Sequence, residues 1–414
     1  MRLNTFHSGL NMLDFTFTEE QELFRRTVRE FCQKKIAPVL RDMEEKKRIP
    51  NDVIRGMAEL GLMGVTASTE FGGAQADPIL AGIAGEEIGR ADITCATAVF
   101  YLVPASWGHI LNTYGSRETK QKVFPSLCKG RSFLGIATTE PEVGSDLANM
   151  RTVARRVGDE YVINGEKMYI SGVREVVEQL DEGGGFLTLV KTAPEKGTRG
   201  MSFLYVPLRG TPGISPTLLD EMGRRGISTG GFKMDNVRVP ASNLVGEENR
   251  GFYMAMEGFD YARAIISVVC AGAAISALEQ GMEYIKQRKA FGQPIGRFEG
   301  VQFKLAENYA KMDAARLLGY RALWMLGKEI KEKKYSRFEV SKAAAEAKML
   351  APEWAFETLN DVLQWYGAYG YTTECPIEAG LRGARSYLWA EGSNEIMKII
   401  VARELLGKEF VAYR

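Results

Sequence analysis

Apolar and polar positions divide the chain into three stretches. From Thr18 to about Gly130 the apolar residues recur at helical spacing: Phe24, Val28, Phe31 and Cys32 share one face, and Glu86 to Thr113 carries more apolar helix. Thr18, followed by Glu19, Glu20 and Gln21, predicts a capped helix start. Near Phe133 the pattern shortens to β-like runs: Phe133–Ile136, Tyr161–Ile163, Lys167–Ile170, Phe186–Val190, Met201–Val206 and Val237–Val239. Asn164-Gly165, between two of them, predicts a hairpin turn, and Pro194, Gly197, Pro207, Pro212 and Gly213 punctuate the rest. From Gly251 helical spacing returns: Val268, Gly272, Ile275, Leu278, Met282 and Ile285 mark one long face, and Ile396, Ile399, Ile400 and Leu405 the last. Helices, then strands, then helices predict an α+β chain rather than alternating βαβ units. The expected domains are an N-terminal helical one (1–132), an antiparallel β one (133–250) and a C-terminal helical one resembling a four-helix bundle (251–414). No GxGxxG lies between a strand and a helix, so Gly183-Gly184-Gly185 reads as a flexible loop rather than a phosphate cradle.

Composition narrows the chemistry. The 414 residues carry 53 basic and 52 acidic side chains, a balance with no general pull toward nucleic acid or an anionic membrane. The uncharged run from Ala264 to Leu278 is too short to span a bilayer and reads as a buried helix. Five scattered cysteines (Cys32, Cys95, Cys128, Cys270, Cys375) form no CxxC pair or zinc spacing; reduced thiols and a cytoplasmic location are expected. Met1 to Asn11 lacks the apolar core of a signal peptide, and Met12 reads as an alternative start. His7 and His109 are the only histidines, which nearly excludes a Ser-His-Asp triad or a multi-histidine metal site. No metal is expected, and a general base must be Glu, Asp, Lys, Tyr or Cys.

Two segments carry the candidate chemistry. Thr138-Thr139-Glu140-Pro141-Glu142-Val143-Gly144-Ser145-Asp146 reads as a loop of hydroxyls and amides suited to a polar cofactor, or as an ordinary β-domain turn. Ala390-Glu391-Gly392-Ser393-Asn394-Glu395-Ile396 sets a carboxylate at a helix start, either as a base or as a surface cap.

These segments, with Glu86–Asp92, Asn164–Ser171, Arg288-Lys289-Ala290-Phe291-Gly292 and Gln364–Gly370, resemble the acyl-CoA dehydrogenases in order and spacing, from about Phe15 to the C-terminus. The resemblance implies the α–β–α fold, FAD, an acyl-CoA substrate, electron-transferring flavoprotein as acceptor, and a homotetramer or dimer of dimers. It makes Glu391 the base that takes the α-proton while a hydride leaves the β-carbon for flavin N5. Enclosure would raise the pKa of that carboxylate toward its task. The position where other members carry the base is Ala262 here, which takes no proton.

The same resemblance puts Thr138, Thr139 and Ser145 against the flavin, with Ser145 shared with substrate. Tyr169 and Ser171 stand where the family usually has Trp and Thr. Arg288 and Phe291 would hold FAD from a neighbouring subunit, Gln364 and Gly367 its phosphate or adenosine, and Ser393 and Asn394 its adenosine part. Asp260, Arg263 and Gly392 would meet the substrate, although Asp260 and Arg263 also read as an i,i+3 ion pair. Glu299 replaces a usual Gln, and Gly383 a usual acid. An acidic, glycine-rich insertion from Glu175 to Gly185 is expected as a surface loop. Phe100, Tyr101, Leu102 and Trp107 would shorten the acyl pocket if they point inward and are core if they do not. Acyl-CoA oxidases and non-catalytic flavin scaffolds are the competing readings.

Overall fold

The computed structural model describes residues 15–410 and 412; His7 and the Met12 start lie outside the described residues. Six helices open the chain: α1 (Glu19–Phe31), α2 (Leu40–Lys46), α3 (Asn51–Glu59), α4 (Pro78–Ala91), α5 (Ala96–Tyr114) and α6 (Arg117–Cys128). The sheet segment holds β1 (Ser132–Ala137), β2 (Val153–Val157), β3 (Glu160–Ser171), β4 (Gly183–Lys191), β5 (Met201–Pro207), β6 (Ile214–Leu219), β7 (Thr229–Pro240) and β8 (Leu244–Val245). Then come α7 (Gly251–Gln287), the short hairpin β9 (Lys289–Ala290) and β10 (Gln293–Pro294), α8 (Glu299–Glu332), α9 (Arg337–Trp365), α10 (Pro376–Arg385) and α11 (Asn394–Leu406). The expected α1 start is a full capping box: Thr18 accepts from the Gln21 amide, and the Gln21 side chain accepts from the Thr18 amide.

The two helical segments share a core. α7 is the central rod, packed by α9, α4, α8 and α5, and the run from Ala264 to Leu278 is buried apart from its two intermediate positions, Ile275 and Ser276. α4 lies against it because Gly85 and Gly89 remove the side chains between them; a Cβ on Gly89 would sit 2.5 Å from the Val269 carbonyl oxygen. The Glu86–Asp92 stretch is structural. Glu87 takes a bidentate pair from Arg29 at 2.7 Å, Glu86 accepts from Arg316 at 2.7 Å and from Tyr320, and buried Asp92 accepts from the Thr94 and Thr97 amides. Glu86 and Glu87 are thus paired with arginines and Asp92 is hydrogen-bonded by amides, as burial requires.

The sheet runs β6-β7-β3-β2-β4-β5-β8, with β1 on β4. Most pairs are antiparallel, as expected, but β1 and a single bridge from β2 join β4 in parallel. Three sequence expectations are corrected. Asn164-Gly165 is no hairpin: β3 runs through it with a bulge against β7, and Gly165 is there because a Cβ would lie 2.5 Å from Thr152 Oγ1. The turn is instead at Gly158-Asp159, between β2 and β3. Gly183-Gly184-Gly185 is no flexible loop: it begins β4, squeezed between β1 and β5, and a Cβ on Gly184 would stand 2.0 Å from the Phe133 oxygen. The Glu175–Gly185 insertion is not a surface loop either. Glu175, Val176 and Gln179 are buried in a helical turn; Glu175 accepts from the Ser228 amide and hydroxyl, and Gln179 donates to the Ile49 carbonyl at 2.8 Å.

Replacing Gly184 by Ala should lower stability by about 1–3 kcal/mol, the usual cost of overpacking, and shift the denaturant midpoint down. An unchanged midpoint would mean that β1 and β4 separate freely.

Candidate active site

A cavity of about 2330 Å³ lies where the sheet, α5, α7 and the loop before α11 meet. Thr138, Thr139, Ser145, Tyr169 and Ser171 line it from the sheet side, Val99, Leu102 and Val103 from α5, Phe259 and Ile266 from α7, and Glu391, Gly392 and Ser393 from the loop. Pockets for a single small molecule hold roughly 300–1,000 Å³, so this one has room for two large ligands.

Local structure aims these groups. Buried Glu140 shapes the Thr138 loop: it accepts from the Arg151 and Thr152 amides and pairs with fully buried Lys167 at 3.1 Å. Lys167 also donates to the Thr138 carbonyl at 3.1 Å, and burial lowers its pKa to about 8. Burial raises the Glu140 pKa, but Lys167 and the hydrogen bonds outweigh it and hold that carboxylate below its ordinary value. Tyr169 sits at the second irregularity in β3, with a left-handed backbone (φ 62°), and its ring is 62% exposed although it belongs to a strand. The bulge turns the ring out of the sheet and into the cavity.

Glu391 and Gly392 form a left-handed turn, φ 57° and 99°. That conformation is costly for a glutamate, and two cations grip it. Arg263 Nε donates to the Glu391 carbonyl at 3.0 Å, and Lys348 Nζ donates to the Gly392 carbonyl at 2.5 Å and to Asn394 Oδ1 at 3.2 Å. Gly392 is required by its backbone, since φ 99° is a conformation that L side chains rarely adopt. The Glu391 carboxylate is half-buried, lines the cavity and takes no hydrogen bond or ion pair from the described residues. Burial raises its pKa to about 7 even though Arg263, Lys348 and Arg224 act to lower it. A carboxylate that is unpaired, half dry and poised near neutrality is equipped to take a proton.

Comparison with known proteins decides what this site serves. Residues 18–131, 135–237 and 249–406 match, in turn, the N-terminal, middle and C-terminal domains of acyl-CoA dehydrogenase. The chain belongs to the acyl-CoA dehydrogenase family. It is 36% identical over 400 residues to a probable acyl-CoA dehydrogenase of Bacillus subtilis, covering 95% of this chain and 100% of that one. Among solved structures, the butyryl-CoA dehydrogenase of Megasphaera elsdenii matches with a TM-score of 0.86 at 28% identity, over 95% of this chain and 100% of that one. A chain from a structural study of the electron-transferring flavoprotein of Acidaminococcus fermentans matches at 0.87 and 30%, with the same coverage.

The dehydrogenases of this family are FAD enzymes, and the cavity fits that cofactor: its size, its hydroxyl-lined wall and the outward Tyr169 ring are otherwise unexplained in a β-sheet face. Thr138, Thr139, Ser145, Tyr169 and Ser171 are the residues that would hold the flavin end. Ser393 lines the cavity while capping α11 through the Ile396 amide.

Asp260 and Arg263, expected to meet CoA, line the cavity as well, but they are almost fully buried and meet each other at 2.9 Å; Asp260 also accepts from Arg337 at 2.8 Å and Ser341 at 3.1 Å. The pair thus anchors the Glu391 turn. Asn394, expected beside adenosine, is buried, with its amide donating to the Met349 carbonyl at 3.0 Å and accepting from Lys348. Arg288, Phe291, Gln364 and Gly367 cluster at the other end of the bundle, all exposed, with Phe291 96% exposed. Arg288 is 25 residues beyond Arg263 along α7, about 38 Å at 1.5 Å per residue, so a single chain does not assemble them with Glu391. Leu102 faces the cavity, whereas Phe100, Tyr101 and Trp107 are core: Phe100 against Phe133, Trp107 against Phe203 and Phe259, and Tyr101 donating to the Ala81 carbonyl. Gly383 admits the Thr94 carbonyl, whose oxygen would be 2.1 Å from a Cβ, so an acid does not fit there.

Lys348 was not singled out from sequence. Its signal is a lysine in phase with Ala344, Ala351 and Ala355 on the buried face of α9. Lys348→Met should slow flavin reduction by about 10²-fold through misplacement of the carboxylate. It should also raise the kinetic pKa of the base, because a cation that stabilises its charged form is gone. An unmoved pH profile would show that Lys348 only fills space.

Proposed function

We propose that this dehydrogenase oxidises the α,β-bond of an acyl-CoA thioester to the trans-2-enoyl thioester, with Glu391 as the base. The observation that carries the reading is the unpaired, half-buried Glu391 carboxylate on the wall of a cavity large enough for two ligands. Glu391 takes the α-proton; held by Arg263 and Lys348, it spends no time searching for its position. Bound FAD supplies the acceptor for the hydride that leaves the β-carbon. Backbone N–H groups near Glu391 are suited to polarise the thioester carbonyl, which acidifies the α-carbon. Arg250, Arg337 and Arg403 line the end of the cavity where the first turns of α7 and α9 meet α11, and suit the phosphates of CoA.

A second subunit completes the cofactor site. The exposed Arg288, Phe291, Gln364 and Gly367 support that reading, since an aromatic ring 96% exposed on a left-handed turn (φ 51°) makes only an edge-on contact with Phe298 in its own chain. The assembly is a homotetramer, and electrons leave to an electron-transferring flavoprotein.

Anaerobic titration with acyl-CoAs, followed by flavin absorbance, tests the reaction: bleaching is expected. Rapid recolouring in air would mean an oxidase, and no bleaching by any thioester a non-catalytic flavin protein. Glu391→Gln should keep its flavin and bind acyl-CoA, yet reduce about 10²–10⁴-fold more slowly or worse. The wild-type reduction rate should rise with pH through an inflection near 7, because only ionised Glu391 accepts the proton. Normal reduction in the Gln variant would remove Glu391 from the mechanism.

A further inference from the structure

Arg224 lies in the loop between β6 and β7, in the sequence Met222-Gly223-Arg224-Arg225-Gly226. Every neighbour in that loop is engaged. The Met222 carbonyl accepts from Arg382 at 2.5 Å, the Arg225 amide donates to Glu44 at 3.1 Å, and the Arg225 side chain faces Asp220 at 3.8 Å. Two glycines seat the loop: a Cβ on Gly223 would be 2.5 Å from the Arg382 carbonyl carbon, and one on Gly226 3.0 Å from Ala96 Cβ. Between them Arg224 takes a left-handed backbone, φ 56°. Its guanidinium lines the same cavity as Glu391, and among the described residues it has no hydrogen bond or ion pair. Glu221 lines that part of the cavity too; burial raises its carboxyl above the ordinary value although Thr229 and Arg224 act to lower it, and no ion pair joins it to Arg224.

The position within the cavity matters. Arg224 is within electrostatic reach of Glu391, of Cys95 at the start of α5, and of Tyr387. Arg337 acts instead on Tyr114, at the far end of α5, and on Glu257. Cys95 and Tyr114 are 19 residues apart on α5, about 28 Å along its axis. The cavity thus has an arginine-rich outer end and an inner end where Arg224 has no ion pair among the described residues while its neighbour Arg382 is paired with Glu44 and Glu378, the two ends joined by the aliphatic stretch Val99, Leu102 and Val103. A methyl-ended chain reaching the inner end would strip water from the Arg224 guanidinium and give nothing back, which is costly. A carboxylate there would supply a partner matched to its planar fork.

We propose that Arg224 binds a carboxylate at the far end of the acyl chain, so that the substrates are CoA thioesters of short dicarboxylic acids; this rests on the dehydrogenation reading above. The test compares carboxyl-ended thioesters (glutaryl, adipyl) with methyl-ended ones of equal chain length (pentanoyl, hexanoyl), by anaerobic flavin reduction and by calorimetric binding in the Glu391→Gln background. The wild type should favour the carboxyl-ended series by about 10²-fold in kcat/KM. Arg224→Met should abolish that ratio in both rate and binding, and Arg224→Lys should keep part of it. A wild type that handles methyl-ended chains as well or better would overturn the assignment. So would an Arg224→Met variant that loses both series equally with a displaced pH profile, since Arg224 would then act on Glu391. If no thioester reduces the flavin, the dehydrogenation reading falls, while calorimetry still decides: a carboxylate preference lost in Arg224→Met supports the site, and no preference overturns it.

Discussion

The structure depends on one constraint: a glutamate must be held in a left-handed turn, partly out of water, without any group bonding its carboxylate. Arg263 and Lys348 meet that constraint by gripping the backbone carbonyls on either side of the Glu391–Gly392 link. The grip would be useless if the cations themselves moved. Arg263 is fixed by Asp260, which Arg337 and Ser341 hold in turn, and Lys348 is fixed by Asn394 and the alanine-lined face of α9. Burying so many charges is favourable only because each has a partner of good geometry. The Glu391 carboxylate has none among the described residues, and its pKa rises accordingly.

The scaffold around the turn follows the same logic of close approach and rigid support. α7 carries Asp260 and Arg263 in its buried first half and Arg288 at its exposed end, so one helix links the base to a surface that its own chain leaves bare. The sheet brings the hydroxyl-bearing wall to the other side of the cavity through a bulge at Tyr169 and the buried Glu140–Lys167 pair. The cavity is therefore bounded by parts that cannot drift independently, which is what preorganised catalysis requires.

Much of this was legible in the sequence where periodicity is strong. The helical faces of α1 and α7, the β1, β4 and β5 runs, and the order of helices, strands and helices are all plain in the residue pattern. Glycine misled: Asn164-Gly165 and Gly183–Gly185 carry turn-like composition, yet there glycine serves the close passage of neighbouring strands, which no local pattern reveals. β2 and β6 hide because they are mostly exposed and show no clear alternation, with Pro216 inside β6, and β7 was read only at Val237–Val239 because it opens with Gly230-Gly231. Glu391 was legible from its motif, and the cavity-facing hydroxyls with it. The Asp260–Arg263 ion pair was legible from its i,i+3 spacing, but the other partners of Asp260, Arg263 and Asn394 were not, since they lie on segments distant in sequence, and Lys348 and Arg224 show only as charges in unusual company.

Proton abstraction at this site depends on the state of the Glu391 carboxyl. The direct measurement is an infrared difference spectrum of wild type against Glu391→Gln across pH 5–9. A protonated carboxyl band assigned to Glu391, present at pH 5 and lost through a midpoint near 7, is the expected result. A carboxylate already ionised at pH 5 would contradict it, because the turn would then hold an ordinary solvated acid rather than a base prepared by burial.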